Sequence, residues 1–284
     1  MGFTCNLCGE RNPPLQSAHY ENPELPSCGR CGSNVRFRWL VDRLAREFPA
    51  GKSVRGMGLT DPAPVAQVLS ERFTYLNTFL DAEPRFDIRS DPSPLGELDF
   101  LIASEVFEHV VPPVSDAFRN AARLLKPSGV LLLTVPWVWD GDGGLPEFGD
   151  WKLGREGDRW AIVNRRSDGQ TEKFWNPSFD GSAGPSLGHT REHFPELYDW
   201  ELSAEDGTWQ LRNRRRDGTA ETFRNLVFHG GPGLALEMRL FTRADLENNL
   251  RAAGFRTVEF DNRERSESGI VFPYPWSHPV VARR

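Results

Sequence analysis

Four cysteines, Cys5, Cys8, Cys28 and Cys31, form two Cys-x-x-Cys pairs separated by a 19-residue spacer, and they are the only cysteines in the chain. In a reducing compartment, paired thiols at this spacing serve as metal ligands more naturally than as disulfides. The glycines beside them let the backbone turn tightly around an ion. Four sulfur ligands would close a tetrahedron and leave no position for water or substrate, so the expected ion is a structural zinc rather than a catalytic one. Redox pairing of the thiols is the competing reading. Loss of the metal is expected to damage folding or docking before it touches chemistry.

Carboxylates and imidazoles make up the second set of reactive side chains. Glu105, Glu108 and His109 follow an apolar run, LDFLIAS, that ends abruptly in acid. In a loop beyond a strand, Glu105 and His109 could bind a polar ligand or remove a proton from an acceptor. The structural alternative for His109 is helix capping or packing, and for Glu108 a solvated cap. A third candidate, His229, opens the run His229-Gly230-Gly231-Pro232-Gly233, with Glu237 and Arg239 beyond it. A stretch with so little to pack suits a mobile loop over a site. It would serve equally as a return to the core, with Glu237 and Arg239 paired.

These residues need elements to position them. Apolar spacing at Val35, Leu40, Leu44 and Phe48 predicts an amphipathic helix over 34–48 that ties the cysteine segment to the next domain. Beyond it, SVRGMG, VAQVLSERF and TYLNTF read as strand, helix, strand. The same order recurs in LDFLIASE, VSDAFRNAARLLK and VLLLTV. Near the end, Thr242 is placed to cap a helix that Gly254 terminates, and RTVEF and PVVAR supply two further strands.

Between these halves the chain changes character. Sliding the sequence against itself at an offset of 49 aligns 146–181 with 195–230 without gaps. Asp168-Gly169 and Asp217-Gly218 sit at matching places between strand-like flanks, as tight hairpin turns do. Two related β-hairpin units are therefore expected. Trp151, Trp160, Trp200 and Trp209 recur at equivalent positions, which favours small β cores over a stacking face for sugars.

The segment DFLIASEVFEHVVPPVSDAFRNAARLLKPSGVLLLTVPW resembles the second half of class I S-adenosylmethionine-dependent methyltransferases. Asp99 opens the strand, Glu105, Glu108 and His109 form the E-x-x-E-H loop, and Leu125, Lys126, Pro127 and Gly129 form L-K-P-x-G. The resemblance implies a Rossmann-like α/β sheet and S-adenosylmethionine as cofactor. In such sheets ligands bind beyond the carboxyl ends of the strands, so Gly56 and Gly58 are cofactor-binding candidates. Val54 and Thr60 depart from the family's acid and third glycine. Asn77 stands where an acid usually meets the ribose, with Asp81 as the alternative. Asp87 occupies the adenine-binding position, where a plain turn residue would also fit. Glu105 would contact the aminoacyl end of the cofactor, and Glu105, His109 and His229 are the catalytic candidates. With the cysteine ribbon in front and the HGGPG run within, the whole resembles bacterial zinc-ribbon methyltransferases.

The expected architecture is a zinc ribbon over 1–33, a methyltransferase domain over 34–137 and 235–284, and a β-rich insertion over 138–234. A formal charge of -6 opposes a broad grip on phosphate backbones, so nucleic acid is disfavoured as a partner. Two local basic stripes, Arg36, Arg38, Arg43 and Arg46, then Arg214, Arg215 and Arg216, are what an RNA methyltransferase would use. A small-molecule or glycan-like acceptor is expected instead. With no basic, apolar leader and no apolar run long enough for a bilayer, a cytoplasmic protein without membrane contact is expected. The oligomeric state is left open, and so is the possibility of a binding protein that kept the fold without the activity.

Overall fold

The structure is a computed structural model that describes residues 2–16, 24–80, 82–89, 97–110, 114–135, 137–138, 150–156, 159–165, 171–175, 199–205, 208–214, 218, 220–224, 227–229, 235–237, 241–272 and 277–284. In chain order the elements begin with β1 (Gly2–Thr4), β2 (Arg11–Pro14), α1 (Val35–Glu47), β3 (Arg55–Leu59), α2 (Ala63–Arg72) and β4 (Thr74–Thr78). Next come β5 (Leu98–Ser104), α3 (Ser115–Leu124), β6 (Leu125–Thr134) and β7 (Trp137–Val138). The duplicated region supplies β8 (Asp150–Glu156), β9 (Arg159–Arg165), β10 (Thr171–Trp175), β11 (Asp199–Glu205), β12 (Thr208–Arg214) and β13 (Ala220–Arg224). The chain continues with β14 (Val227–His229), β15 (Ala235–Glu237), β16 (Phe241–Thr242), α4 (Arg243–Ala252), β17 (Thr257–Phe260) and β18 (Val280–Arg283).

Two compact units result, one of residues 1–107, 113–136 and 245–284, the other of 108–112 and 137–244. The first is built on a six-stranded sheet of order β17-β18-β6-β5-β3-β4. Strands β3, β4, β5 and β6 are mutually parallel, and β18 runs antiparallel to both its neighbours. This is the Rossmann-like α/β arrangement, with strand, helix, strand units at β3-α2-β4 and β5-α3-β6. Among the described residues no helix is long and apolar enough to cross a membrane.

Helix α1 forms where the spacing predicts it. Asn34 caps it by accepting a 3.1 Å bond from the Phe37 N–H, and Val35, Trp39, Leu40 and Leu44 form its buried stripe. That stripe packs on Phe100, Ile102, Val130, Leu132 and Val281, so α1 is part of the sheet's own core as well as the link to the cysteine segment. Register puts Gly56 beside Phe100 and Tyr75, and Gly58 beside Ile102 and Asn77, all on this same face.

In the second unit each repeat is a three-stranded antiparallel meander, β8-β9-β10 and β11-β12-β13. Every strand limit in the first copy recurs 49 residues later in the second, and the pairing follows: Asp150 faces Arg165 as Asp199 faces Arg214. The expected hairpin units are therefore one strand short. The additional pairings are β8 with β9, ending at Glu156 opposite Arg159, and β11 with β12, ending at Glu205 opposite Thr208. The Asp168-Gly169 turn falls outside the described residues, while Gly218 has φ +86°, the conformation a glycine adopts freely. Strand β14 pairs with β15, and β7 with β16 in parallel.

Candidate active site and cysteine cluster

The carboxyl ends of the parallel strands carry two residues in the left-handed backbone region. Thr60, just past β3, has φ +62°, and Glu105, just past β5, has φ +55°. For a β-branched threonine this is a genuine outlier. Such strain costs about 1–3 kcal/mol per residue and clusters where function over-determines the backbone. Both bends are tied to neighbouring strands. Thr60 N–H donates to the Thr78 carbonyl at 2.7 Å, and Glu105 N–H to the Thr134 carbonyl at 2.8 Å.

Next to Thr60, Asp61 is buried in full. The Tyr75 hydroxyl donates to its Oδ2, while Oδ1 has no hydrogen-bond partner among the described residues. Burial pushes the Asp61 carboxyl up to about 7, with the Tyr75 bond working against that rise. The two glycines of Gly56-Met57-Gly58 explain themselves at this point. A side chain at Gly58 would overlap the Tyr75 hydroxyl and the Asp61 carboxylate, and one at Gly56 would overlap the Phe100 ring. The glycines admit this chain's own side chains. Phe100 is packed by Phe73 at 5.3 Å, Phe48 at 5.7 Å and Tyr75 at 6.1 Å between centroids.

Asn77 clamps the same loop: its Oδ1 accepts from Asp61 N–H at 2.9 Å and its Nδ2 donates to the Asp61 carbonyl at 2.8 Å. Its exposed part keeps one N–H and one lone pair for a ligand. Asp87 accepts from the Arg89 N–H at 2.9 Å and pairs with the Arg89 guanidinium at 2.7 Å, the turn geometry expected as its structural role. Asp81 lies outside the described residues.

Glu105 meets a partner absent from every sequence-based expectation. Arg36, in the first turn of α1, places Nη1 2.6 Å from Glu105 Oε2 and Nη2 2.8 Å from Glu24 Oε2. A cation in the first turn of a helix works against the helix dipole. That mismatch is the signal the sequence carried. Both side chains stay partly accessible, at 14% and 22%.

In the other unit, His109 ends a short 3-10 turn with its Nε2 3.7 Å from the buried carboxylate of Glu108. His229 is the last residue of β14, opposite Ala235, rather than the first of a loop. The residues 230–234 and Arg239 are outside the described set. Asp99 and Lys126, at the amino ends of β5 and β6, form a 2.7 Å ion pair, and Asp99 also accepts from the Arg55 N–H at 2.8 Å. These motif residues hold strands together away from the carboxyl edge.

The four cysteine sulfurs converge, each within 4.8 Å of the others. Cys5 and Cys31 are 3.7 Å apart, and Cys8 and Cys28 3.6 Å. A tetrahedral ion with metal–sulfur bonds of about 2.3 Å has sulfur–sulfur edges of about 3.8 Å, so the set fits one. The two loops are built alike. Gly9 (φ +73°) donates to the Cys5 carbonyl at 2.8 Å, and Gly32 (φ +70°) to the Cys28 carbonyl at 2.9 Å. Burial tends to raise the Cys28 thiol, but the N–H groups of Cys31 and Arg30 and the Asn12 amide bring it down to about 6. Donors already aimed at a thiolate suit a metal ligand.

Arg38 joins this cluster to the sheet. Its guanidinium is fully buried and donates to the carbonyls of Ser33, Pro26 (2.5 Å) and Gly269 (2.9 Å). Arg43 is buried on Asp261 at 3.0 Å, and Arg46 pairs with Asp42 at 2.8 Å. Arg38 and Arg43 of the first basic stripe are thus engaged by buried carbonyls and a buried carboxylate, while Arg46 is paired at the surface. Of the second, Arg214 ends β12, and Arg215 and Arg216 lie outside the described residues.

Residues 75–133, from β4 into β6, match the methyltransferase domain family. No curated protein matches the chain. Among solved structures, the S-adenosylmethionine-bound amino pentose methyltransferase CalS10 of Micromonospora echinaspora is 15% identical, covers 87% of this chain and 89% of its own, and gives a TM-score of 0.41. The sugar N-methyltransferase KedS8 of a Streptoalloteichus species is 11% identical over 88% of this chain and 87% of its own, at 0.42. DesVI of Streptomyces venezuelae is 14% identical over 87% and 89%, at 0.40. The sheet order is Rossmann-like, and within it the segment 75–133, from β4 into β6, is the part that matches a methyltransferase domain.

Proposed function

We propose that the protein transfers a methyl group from S-adenosylmethionine to a small-molecule or glycan-like acceptor, in the cytoplasm. One observation carries this reading. Within the family-matched segment, β5 delivers the carboxylate of Glu105, on a left-handed backbone, to the carboxyl edge of the sheet where such folds bind ligands. Glu105 would hold the amino-acid end of the cofactor, Asn77 the ribose and Asp87 the adenine. Gly56 and Gly58 act indirectly, by letting Phe100, Tyr75 and Asp61 pack behind the loop that faces the cofactor.

When bound, S-adenosylmethionine supplies an electrophilic methyl group. The protein's part is to hold the acceptor in line with it and to exclude water. An acceptor amine or hydroxyl must lose a proton, and His109 beside Glu108, or His229, would take it. A net charge of -6 and the buried Arg38 and Arg43 favour an acceptor without a phosphate backbone.

We read the cysteine cluster as a zinc ribbon over residues 1–33, in front of a methyltransferase domain over 34–137 and 235–284 with the insertion 138–234 between. The ribbon's work is structural, because its four thiolates leave no open coordination position. Calorimetric titration with S-adenosylmethionine and S-adenosylhomocysteine tests the reading. Binding of both in the micromolar range is expected, and no heat for either at high micromolar ligand removes the enzyme and leaves a binding protein of methyltransferase fold.

A further inference from the structure

We infer that Arg36 and Glu105 form one two-pole receptor, in which the guanidinium takes the carboxylate and Glu105 the ammonium of the cofactor's amino-acid end. The inference rests on the methyltransferase reading above and adds to it a binding residue, Arg36, from the segment directly behind the cysteine pairs. Three observations converge on it. Opposite charges 2.6 Å apart, both partly exposed, are the complement of a zwitterion. A planar guanidinium fork also matches a carboxylate better than an ammonium would.

Local rules are broken on both sides of the pair. Arg36 sits in the first turn of α1, which holds no acidic residue to offset it. Glu105 holds a left-handed backbone that a non-glycine residue adopts at a cost. A partly exposed ion pair is worth at most about 1 kcal/mol, which is little return for two such departures. Departures of this kind gather at functional sites.

The position of Arg36 is also set from outside the sheet. Glu24 holds Arg36 and bonds the Asn34 side chain that caps α1, and Asn6, between the first two cysteines, donates to the Arg38 carbonyl at 2.7 Å. The cysteine cluster thereby fixes the start of α1 and, with it, the guanidinium.

The test compares S-adenosylhomocysteine with 5′-methylthioadenosine, which keeps the nucleoside and lacks the amino-acid end. Binding is measured by calorimetry for the wild type and for Arg36→Met, Arg36→Lys and Glu105→Gln, with circular dichroism checking the fold. The wild type should prefer S-adenosylhomocysteine. Arg36→Met and Glu105→Gln should each lose about tenfold or more for S-adenosylhomocysteine, with affinity for 5′-methylthioadenosine unchanged. If Arg36→Met does not fold, Arg36→Lys, which keeps the charge without the fork, should still lose several-fold for S-adenosylhomocysteine alone. Equal losses for both nucleosides, or none, overturn the receptor and leave a structural latch. A wild type that binds neither nucleoside overturns the methyltransferase reading itself, a result distinct from any of these.

Discussion

Replacing Asp61 with Asn should change how the protein's stability depends on pH. Burial raises the Asp61 carboxyl from an ordinary value of 3.8 to about 7, partly offset by the Tyr75 hydroxyl. Across that interval the unfolded chain has released the proton and the folded chain still holds it. Stability therefore falls as pH rises from about 4 to about 7, and is level above. About three pH units at about 1.4 kcal/mol each amount to about 4 kcal/mol. An amide of the same shape can still accept the Tyr75 bond and has no proton to lose. Between about pH 4 and pH 8, the wild type should lose about 4 kcal/mol relative to Asp61→Asn, on the order of 10 °C in Tm. Urea denaturation followed by tryptophan fluorescence at a series of pH values measures the difference directly. Parallel curves for the two proteins would refute the placement of a buried, neutral carboxyl behind Gly58.

Other substitutions separate packing from binding. Gly56→Ala pushes a methyl group into the Phe100 ring and should cost about 1–3 kcal/mol in denaturation, partly recovered by Phe100→Leu. Arg38→Met strips three carbonyls of their buried donor and should cost about 3 kcal/mol or more, visible as protease cleavage near the cysteine pairs. Asp99→Asn, despite lying in the recognisable motif, should leave affinity for S-adenosylhomocysteine within about twofold, because Asp99 pairs with Lys126 at the far ends of the strands. Elemental analysis should find one zinc per chain, lost in Cys28→Ser. That loss should also lower affinity for S-adenosylhomocysteine, since the same segment positions Arg36.

Local regularities proved legible without coordinates. The offset of 49 located both meanders because each strand limit and each paired register repeats with it. The third strand of each copy was missed because the Asp-Gly pairs at 168–169 and 217–218 drew the hairpin reading to one strand pair, whereas β8 also pairs with β9 and β11 with β12. The cysteine spacing was equally direct, since knuckle geometry is set within five residues.

Long-range partners were not legible. The basic spacing of Arg36, Arg38 and Arg43 suggested a surface stripe, yet Arg38 bonds a carbonyl 231 residues away and Arg43 a carboxylate 218 away. Gly56 and Gly58 read as a place for cofactor to approach. Only the fold brings Phe100, Tyr75 and Asp61 over them, because a Cβ collision depends on neighbours from other strands. Glu105 was found from its motif, whereas Arg36 required the helix to dock. The cysteine segment is joined to the same helix, since Asn6 bonds the Arg38 carbonyl two residues beyond the Arg36 that reaches Glu105.

The most direct measurement is a crystal structure with S-adenosylhomocysteine bound. The ligand should lie across the carboxyl ends of β3, β4 and β5, with its amino-acid end between Arg36 and Glu105 and its ribose near Asn77. A ligand seated elsewhere, or its absence from crystals grown at saturating concentration, would contradict the account.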